Sequence, residues 1–238
     1  MSTPLYFFMH LQKTGGNSIK RRLAHQFTPQ QVYPHHHDGT DKFTLGLDVD
    51  NLRERYAARS HEIRIVIGHF PLCVASQLAD DVVTMVVLRD PIDRTLSYLR
   101  DQHQHRPGNR GRPLEEIYDD GFLFDGLIHN HMTKMLSLTT DEMTHGALTT
   151  VDFDDARVER ACQRLESVDV VGLQEDLDGF CDELTRRFGW ELGESRRENR
   201  TDPIEVDDRL VERIRHDQAA DLAVWQHAQG LVARRAQR

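Results

Sequence analysis

Apolar and polar residues occur along this chain in blocks that predict strands alternating with helices. Short continuous apolar runs are typical of strands buried on both faces, and apolar residues three and four apart are typical of amphipathic helices. The predicted strands are Leu5–Met9, Ile63–Gly68, Val82–Leu88 and Asp169–Leu173. The predicted helices are Val49–Arg59, Ile92–Gln104, Asp125–Leu136, Ala156–Ser167, Leu177–Phe188 and Asp207–Ala236, and an amphipathic stretch covers Ile19–Phe27.

This alternation predicts the α/β class. We expect a single domain over residues 1–238, with a central, mostly parallel sheet flanked by helices and joined by right-handed crossovers. The chain shows no internal repeat and no domain linker. A chain of 238 residues is long enough to build one large core.

The turn between the first predicted strand and the stretch Ile19–Phe27 is rich in glycine. Residues 10–18 read H-L-Q-K-T-G-G-N-S. Free N–H groups and the dipole at a helix N-terminus favour an anion, and adjacent glycines allow the backbone to approach it closely. Lys13 adds a mobile positive charge. The turn therefore predicts a cradle for a phosphate-like anion, although Gly-Gly turns between a strand and a helix are also common.

A second informative segment follows the predicted strand Val82–Leu88. Arg89 comes directly after it, Asp90 suits a helix N-cap, and Pro91 suits the first helical position. Open α/β sheets bind ligands at the carboxyl ends of their strands, so we expect Arg89 and Ser97 to converge near the glycine-rich turn. The alternative is that Arg89 only pairs with a neighbouring aspartate.

The order of residues in the glycine-rich turn excludes several known loops. A Walker A loop has its lysine after the last glycine, whereas Lys13 precedes Gly15 and Gly16. The S-x-x-K partner of a penicillin-binding K-T-G box is absent, and so is a dinucleotide G-x-G-x-x-G fingerprint. What remains is an anion-binding loop without the usual magnesium-binding groups.

Together the two segments resemble the sulfotransferase family that includes the heparan sulfate 2-O- and 6-O-sulfotransferases, the uronyl sulfotransferases and their bacterial relatives. The first family motif is typically H-x-P-K-T-G-G-T-S, and this chain departs from it at Gln12 and Asn17. The second, R-D-P-x-x-R-x-x-S-x-Y, is matched at Arg89, Asp90, Pro91, Arg94, Ser97 and Tyr98. Weaker likenesses lie at Ile67–His69, Asn130–Leu136 and Val171–Glu175.

The resemblance implies a P-loop-like sulfotransferase fold and transfer of a sulfuryl group from 3′-phosphoadenosine-5′-phosphosulfate (PAPS) to a hydroxyl acceptor. In the family, the first motif binds the 5′-phosphosulfate, and the arginine and serine of the second bind the 3′-phosphate. The PAPS-binding residues that it implies here are Lys13, Thr14, Gly15, Gly16, Asn17, Ser18, Arg89 and Ser97.

Two of the chain's residues are candidate catalytic groups. In-line sulfuryl transfer is expected to depend mainly on positioning and electrostatic stabilisation, by analogy with phosphoryl transfer. We expect Lys13 to stabilise the leaving group. His69 ends the predicted strand Ile63–Gly68, at the same edge of the sheet as Arg89, and is a candidate general base. A histidine after a strand is usually structural, and that alternative stays open.

Composition further narrows the possible classes of function. The net charge of −9 disfavours nucleic acid and long polyanions as partners. The basic residues that can be placed near the nucleotide are Lys13, Lys20, Arg21, Arg22, Arg89 and Arg94, although the run Lys20–Arg22 is more typical of a solvated helix face. The run His35-His36-His37-Asp38 invites a metal interpretation, but strong zinc sites use spaced ligands, and we expect no metal site.

Hydropathy and cysteine content predict a cytoplasmic protein. A mean hydropathy of −0.60 argues against a membrane span, and Leu5–Met9 is too short for the apolar region of a signal peptide. Animal relatives carry a Golgi anchor, and none is recognised here. Cys73, Cys162 and Cys181 form an odd set without a C-x-x-C pair, which fits a reducing compartment.

Two other function classes stay open. An atypical P-loop small-molecule kinase would need the Walker A order, whereas a non-catalytic nucleotide-binding protein could keep the cradle without Lys13 and His69. The acceptor is left open between a glycan, a lipid and another small hydroxyl compound. Two segments, Arg106–Pro113 and Gly193–Pro203, are predicted to be loose loops, acting as lids or as plain linkers.

Overall fold

The computed structural model describes residues 4–35, 38–39, 41, 45–193 and 204–237. Within these ranges a five-stranded sheet has the order β2-β3-β1-β4-β5, and every strand pairing in it is parallel. The strands are β1 Leu5–Met9, β2 Val32–Tyr33, β3 Ile65–Gly68, β4 Val82–Leu88 and β5 Val170–Leu173. The predicted α/β class, with a central parallel sheet between helices, is confirmed.

The helices connect the strands and cover both faces of the sheet. They are α1 Gly16–Gln26, α2 Val49–Arg59, α3 Ala75–Leu78, α4 Pro91–His105, α5 Leu114–Tyr118, α6 Gly121–Leu123, α7 His131–Ser137, α8 Asp155–Ser167, α9 Leu177–Phe188, α10 Asp208–Asp217 and α11 Ala219–Ala236. Short 3₁₀ turns lie at Pro29–Gln31, Leu72–Val74, Gly146–Leu148 and Gln174–Asp176, and a π-turn covers Phe124–Ile128.

Two helices predicted as continuous are interrupted. The predicted helix Asp125–Leu136 is instead the π-turn followed by α7, because Asn130 between them adopts a left-handed backbone with φ of 43°. The predicted helix Asp207–Ala236 is divided into α10 and α11 at Gln218, whose side-chain oxygen accepts a hydrogen bond from the Asn130 backbone N–H at 2.9 Å. A single hydrogen bond therefore connects the two places where the predicted helices are interrupted.

The sheet is buried on both faces, and β1 shows how. Leu5, Phe7 and Met9 belong to the apolar cluster that includes residues of α7, α8 and α11. Tyr6 and Phe8 belong to the opposite cluster, which includes residues of α1 and α9. Successive side chains of a strand point to opposite faces, so a continuous apolar run is what a strand buried on both sides requires.

The strand order determines where a crevice opens. The connection after β1 leads to β2 on one side of the sheet, whereas the connection after β4 leads to β5 on the other side. β1 and β4 are direct neighbours, with Met9 paired to Val86. Open α/β sheets bind ligands between neighbouring strands whose connections diverge in this way, outside the strands' carboxyl ends. The glycine-rich turn follows β1 and Arg89 follows β4, so both lie at that crevice.

Candidate anion-binding and catalytic site

The turn after β1 is a tight backbone structure that leads directly into α1. Lys13 and Gly15 both have positive φ, 67° and 88°. Gly15 is the N-cap of α1, and no side chain caps this helix end. The first N–H groups of an α-helix have no acceptor within the helix, so the beginning of α1 is available to an anion.

Close packing explains why positions 15 and 16 of the turn are glycines. A Cβ atom on Gly16 would lie 1.9 Å from the imidazole of His10, which is buried beneath the turn. A Cβ on Gly15 would lie 2.7 Å from the side chain of Leu177 at the start of α9, in addition to the strain that its φ would cause. Packing against His10 and Leu177 therefore favours glycine at both positions, and the backbone conformation also favours it at residue 15.

The other predicted cradle residues differ in exposure. Thr14 is fully buried, and its hydroxyl donates a hydrogen bond to the Leu11 carbonyl at 2.9 Å. The Thr14 side chain therefore fixes the turn, and only its backbone is left to face a ligand. Asn17 is exposed and Ser18 is half-buried in the first turn of α1. Their binding of a nucleotide stays a prediction.

Arg89 joins the two predicted segments. Its Nη1 donates a hydrogen bond to the Lys13 carbonyl oxygen at 3.0 Å, so the end of β4 contacts the turn after β1. Its Nε is buried and, within the described residues, has no hydrogen-bond partner. Burial lowers the pKa of the guanidinium, and the charges of Asp93 and Asp90 oppose this effect. A half-buried guanidinium next to the cradle is suited to an anionic ligand.

The Lys13 ammonium lies against α4. Its Nζ is 3.3 Å from Oδ1 of Asp101. Ser97, which is half-buried, lies one turn earlier than Asp101 on the same face of this helix. The face of α4 that carries Ser97 is therefore the one that meets the lysine. Sequence reasoning missed Asp101, although its spacing of four residues from Ser97 was a usable signal.

His69 lies on the other side of β1 from Arg89, directly after β3. Its Nδ1 forms a hydrogen bond with the His10 carbonyl oxygen, and the two imidazole centroids are 4.6 Å apart. A carbonyl only accepts, so Nδ1 carries the proton and Nε2 is the basic nitrogen of the neutral ring.

The charge state of His69 follows from its surroundings. Burial lowers its pKa to about 4, the hydrogen bond to His10 opposes this, and the charge of half-buried Lys20 adds to it. The residue as a whole is half-buried at this edge of the sheet. At neutral pH, His69 is therefore an uncharged imidazole able to accept a proton.

Arg94 does not lie in the cradle, although it was expected there. Its side chain is fully buried and donates hydrogen bonds to the carbonyls of Leu127 at 3.3 Å and Ile128 at 2.7 Å. Lys134 on α7 is also buried and binds the two preceding carbonyls, those of Asp125 at 3.0 Å and Gly126 at 2.8 Å. Two cations therefore bind four consecutive carbonyl oxygens of the π-turn.

The anion of this buried polar layer is Asp221 on α11. Its Oδ1 accepts hydrogen bonds from the Thr133 N–H at 2.7 Å and the Thr133 hydroxyl at 2.8 Å. Burial raises the pKa of Asp221, and the charge of Arg94 is the largest opposing influence. The N-x-x-T-x-x-L likeness in the sequence therefore corresponds to hydrogen bonds that join α7 to α11.

Other basic and histidine-rich segments also have structural partners. Arg22 pairs with Asp178 at the start of α9, at a distance of 2.6 Å. In the histidine run, Asp38 is buried against Arg59, and its carboxylate accepts a hydrogen bond from the His35 N–H at 2.7 Å. The two middle histidines of that run lie outside the described residues. Among the residues that are described, no group of three or more His, Cys, Asp or Glu side chains is arranged to hold a metal ion.

The basic loop after α4 makes hydrogen bonds to the last turn of that helix, and its predicted looseness stays a prediction. The ring of His103 bonds the Arg112 carbonyl at 2.7 Å, and the Asn109 amide donates to Gln102 at 2.8 Å. Of the second predicted loop, only its first residue is described, and residues 194–203 lie outside the described ranges. No helix in the described part of the chain has the length and apolar character needed to cross a membrane.

Comparison with known proteins gives a match in structure alone. No family model matches the chain, and no curated protein does. The fold is similar to that of a sulfotransferase from Alicyclobacillus acidocaldarius, with a TM-score of 0.51 and 16% sequence identity, over 94% of this chain and 94% of that chain. The chain has a sulfotransferase fold. The likeness spans nearly the whole chain, but at this identity it shows the fold alone, so the reaction has to be argued from the site.

Proposed function

We propose that this protein is a PAPS-dependent sulfotransferase that transfers a sulfuryl group to a hydroxyl acceptor. The observation that carries this proposal is the crevice between β1 and β4. It brings together the free N-terminus of α1, Lys13 and Arg89, with neutral His69 across β1. The shared fold of a solved sulfotransferase supports the same reaction class. The narrower likeness to the heparan sulfate and uronyl sulfotransferases remains a hypothesis.

The two positive ends of the crevice suit the two anionic ends of PAPS. We assign the 5′-phosphosulfate to the N–H groups at the start of α1 together with Lys13. We assign the 3′-phosphate to Arg89 and Ser97. Support comes from the half-buried guanidinium of Arg89, which donates a hydrogen bond to the Lys13 carbonyl at the crevice, and from the uncapped start of α1. Charge-assisted hydrogen bonds to phosphate are stronger than neutral ones, so Arg89 gives the site its preference for a 3′-phosphorylated nucleotide.

The reaction is an in-line displacement at sulfur. The acceptor oxygen forms a bond to sulfur while the bond between sulfur and the 5′-phosphate oxygen breaks, and the acceptor proton passes to Nε2 of His69. The products are a sulfate ester and 3′-phosphoadenosine-5′-phosphate (PAP). Lys13 stabilises the negative charge that grows on the departing oxygen. No step in this scheme requires a metal ion.

The chain's own surface suggests the kind of partner. Its net charge of −9 disfavours nucleic acid, and we propose a glycan, lipid or other small hydroxyl compound as acceptor and the cytoplasm as location. The non-catalytic alternative keeps the nucleotide site but predicts no turnover. The kinase alternative predicts use of ATP with magnesium.

The test is turnover with a panel of hydroxylated acceptors. The protein is incubated with PAPS and each acceptor, and products are analysed by mass spectrometry for the added sulfuryl group. We expect a sulfated product from at least one acceptor, unaffected by EDTA and absent when ATP and magnesium replace PAPS. Phosphorylated product from ATP would favour the kinase, and PAP binding without any sulfated product would favour the non-catalytic protein.

A further inference from the structure

Asp101 is an acidic residue at the edge of a site that must bind anions. One of its oxygens, Oδ1, is 3.3 Å from Lys13 Nζ and 3.6 Å from His105 Nδ1. The other, Oδ2, is 3.3 Å from Arg106 Nε. One carboxylate is therefore shared between the lysine of the cradle and two basic groups at the end of α4.

The pair with Lys13 is the most shielded of these contacts. The side chains of Lys13 and Asp101 are 24% and 21% exposed, whereas those of His105 and Arg106 are 61% and 53% exposed. Water and salt screen exposed pairs more strongly than partly buried ones, so Asp101 acts mainly on Lys13.

This arrangement opposes nucleotide binding. A nucleotide anion that takes the Lys13 ammonium must compete with a carboxylate that already holds it. On the basis of the proposed function, we propose that Asp101 is a positioning residue that competes with the nucleotide for Lys13. It holds the lysine while the site is free and takes it back after transfer, which weakens the hold on product and speeds its release.

Arg106 also pairs with Asp101, through the other carboxylate oxygen, and so influences this competition. Its guanidinium stabilises the Asp101 carboxylate and reduces the attraction that is left for Lys13. Removal of Arg106 therefore strengthens the hold of Asp101 on the lysine. The basic loop after α4 is in this way connected electrostatically to the cradle, through a single carboxylate.

The experiment is a titration of PAP into the full chain by calorimetry. The variants are Asp101→Asn, Lys13→Ala, the double variant, and Asp50→Asn as control. Asp50 pairs with Arg53 at 2.8 Å on α2, so its variant loses the same charge and also one ion pair. Asp101→Asn should bind PAP about threefold to fivefold more tightly than the parent, the upper range for a partly exposed ion pair. Asp50→Asn should bind PAP like the parent.

The Lys13→Ala variant tests whether Asp101 changes PAP affinity through the lysine. If Asp101 acts through the lysine, the Asn substitution should change PAP affinity little when Lys13 is absent. Arg106→Ala should weaken PAP binding about twofold in the parent and leave the Asp101→Asn variant unchanged. Asp101→Glu keeps the carboxylate and should bind PAP with parental affinity. This result would show that the changed affinity of Asp101→Asn comes from the lost charge and not from a folding defect.

Two results would overturn the role of Asp101 and leave the proposed function intact. One is parental or weaker PAP binding by Asp101→Asn. The other is equal tightening with and without Lys13, which would show direct repulsion of the nucleotide. Absence of PAP binding by the parent protein itself is a different result, and it would overturn the proposed function together with the role of Asp101.

Discussion

The cradle after β1 and the buried polar layer beside α4 both depend on positively charged side chains, in different ways. Arg89 and Arg94 stand five residues apart in one motif. Arg89 is half-buried, makes one hydrogen bond to the loop and keeps a buried Nε without a partner in the described structure. Arg94 is fully buried, and it binds two carbonyls of the π-turn within range of the charge of Asp221.

The difference shows how a ligand-binding cation is distinguished from a structural one. The Nε atoms of both arginines are buried without a partner in the described structure, so they do not distinguish the two residues. Arg94 is fully buried and both of its Nη atoms donate to interior carbonyls, whereas Arg89 is half-buried beside the crevice. Residue type and motif membership are the same for both arginines. Their positions separate them: Arg89 lies at the end of β4 beside the crevice, whereas Arg94 lies on the inward face of α4.

The largest expected effect is on catalysis, at His69 after β3. His69→Ala should lower the rate of sulfated-product formation by about 10²–10⁴ while PAP affinity stays unchanged, because in the proposed mechanism the imidazole accepts the acceptor's proton and does not touch the nucleotide. His61→Ala is the matched control, since the His61 side chain is 76% exposed and its ring lies 3.6 Å from the Glu62 carboxylate. Near-parental turnover by His69→Ala would make His69 a structural residue of the strand end.

Stability should separate the two arginines. Arg94→Ala should lower the free energy of unfolding by about 3–5 kcal/mol, because two carbonyls lose their donor and Asp221 loses the charge that compensates its burial. Arg89→Ala should lower it by no more than about 1 kcal/mol, because Arg89 makes one partly exposed bond. Urea unfolding followed by circular dichroism measures both. Similar losses for the two variants would contradict the distinction.

Acid should destabilise the protein through its buried imidazoles. Burial lowers the pKa of His69 to about 4 and that of His10 well below its ordinary value of 6.5. Between pH 6.5 and 4 the unfolded chain binds more protons than the native one, so stability falls as pH falls through this window. The share of His69 is about 1–3 kcal/mol, fully lost below pH 4.

Unfolding curves at pH 7, 5.5 and 4.5 check this expectation. His69→Ala should show a smaller loss of stability between pH 7 and 4.5 than the parent protein, because one of the buried imidazoles is gone. An equal loss in parent and variant would mean that His69 carries its ordinary charge in the native state.

Much of the fold could be predicted from the sequence because its strands are buried on both faces. The bounds of β1, β4, α2 and α9 agree with the prediction, since apolar runs and helix periodicity mark them locally. The split of the last predicted helix could not be foreseen. It depends on a hydrogen bond between Gln218 and Asn130, which are far apart in the sequence.

Part of the candidate site could also be predicted from the sequence. The meeting of Arg89 with the glycine-rich turn follows from parallel strands sharing one edge, and the contact with the Lys13 carbonyl agrees with it. The burial of Arg94 depends on which face of α4 packs inward. Tyr98 and Gln102, at four-residue spacing from Arg94, are buried along the same stripe, and that spacing was the available signal.

The central claim is that the Arg89 side of the crevice recognises a 3′-phosphate. The most direct measurement is the affinity of the parent protein and of Arg89→Ala for PAP and for 5′-AMP, which differ in that phosphate. The parent should prefer PAP, and Arg89→Ala should lose about tenfold to a hundredfold of affinity for PAP while its affinity for 5′-AMP changes little. Equal affinity of the parent for the two nucleotides would contradict the account.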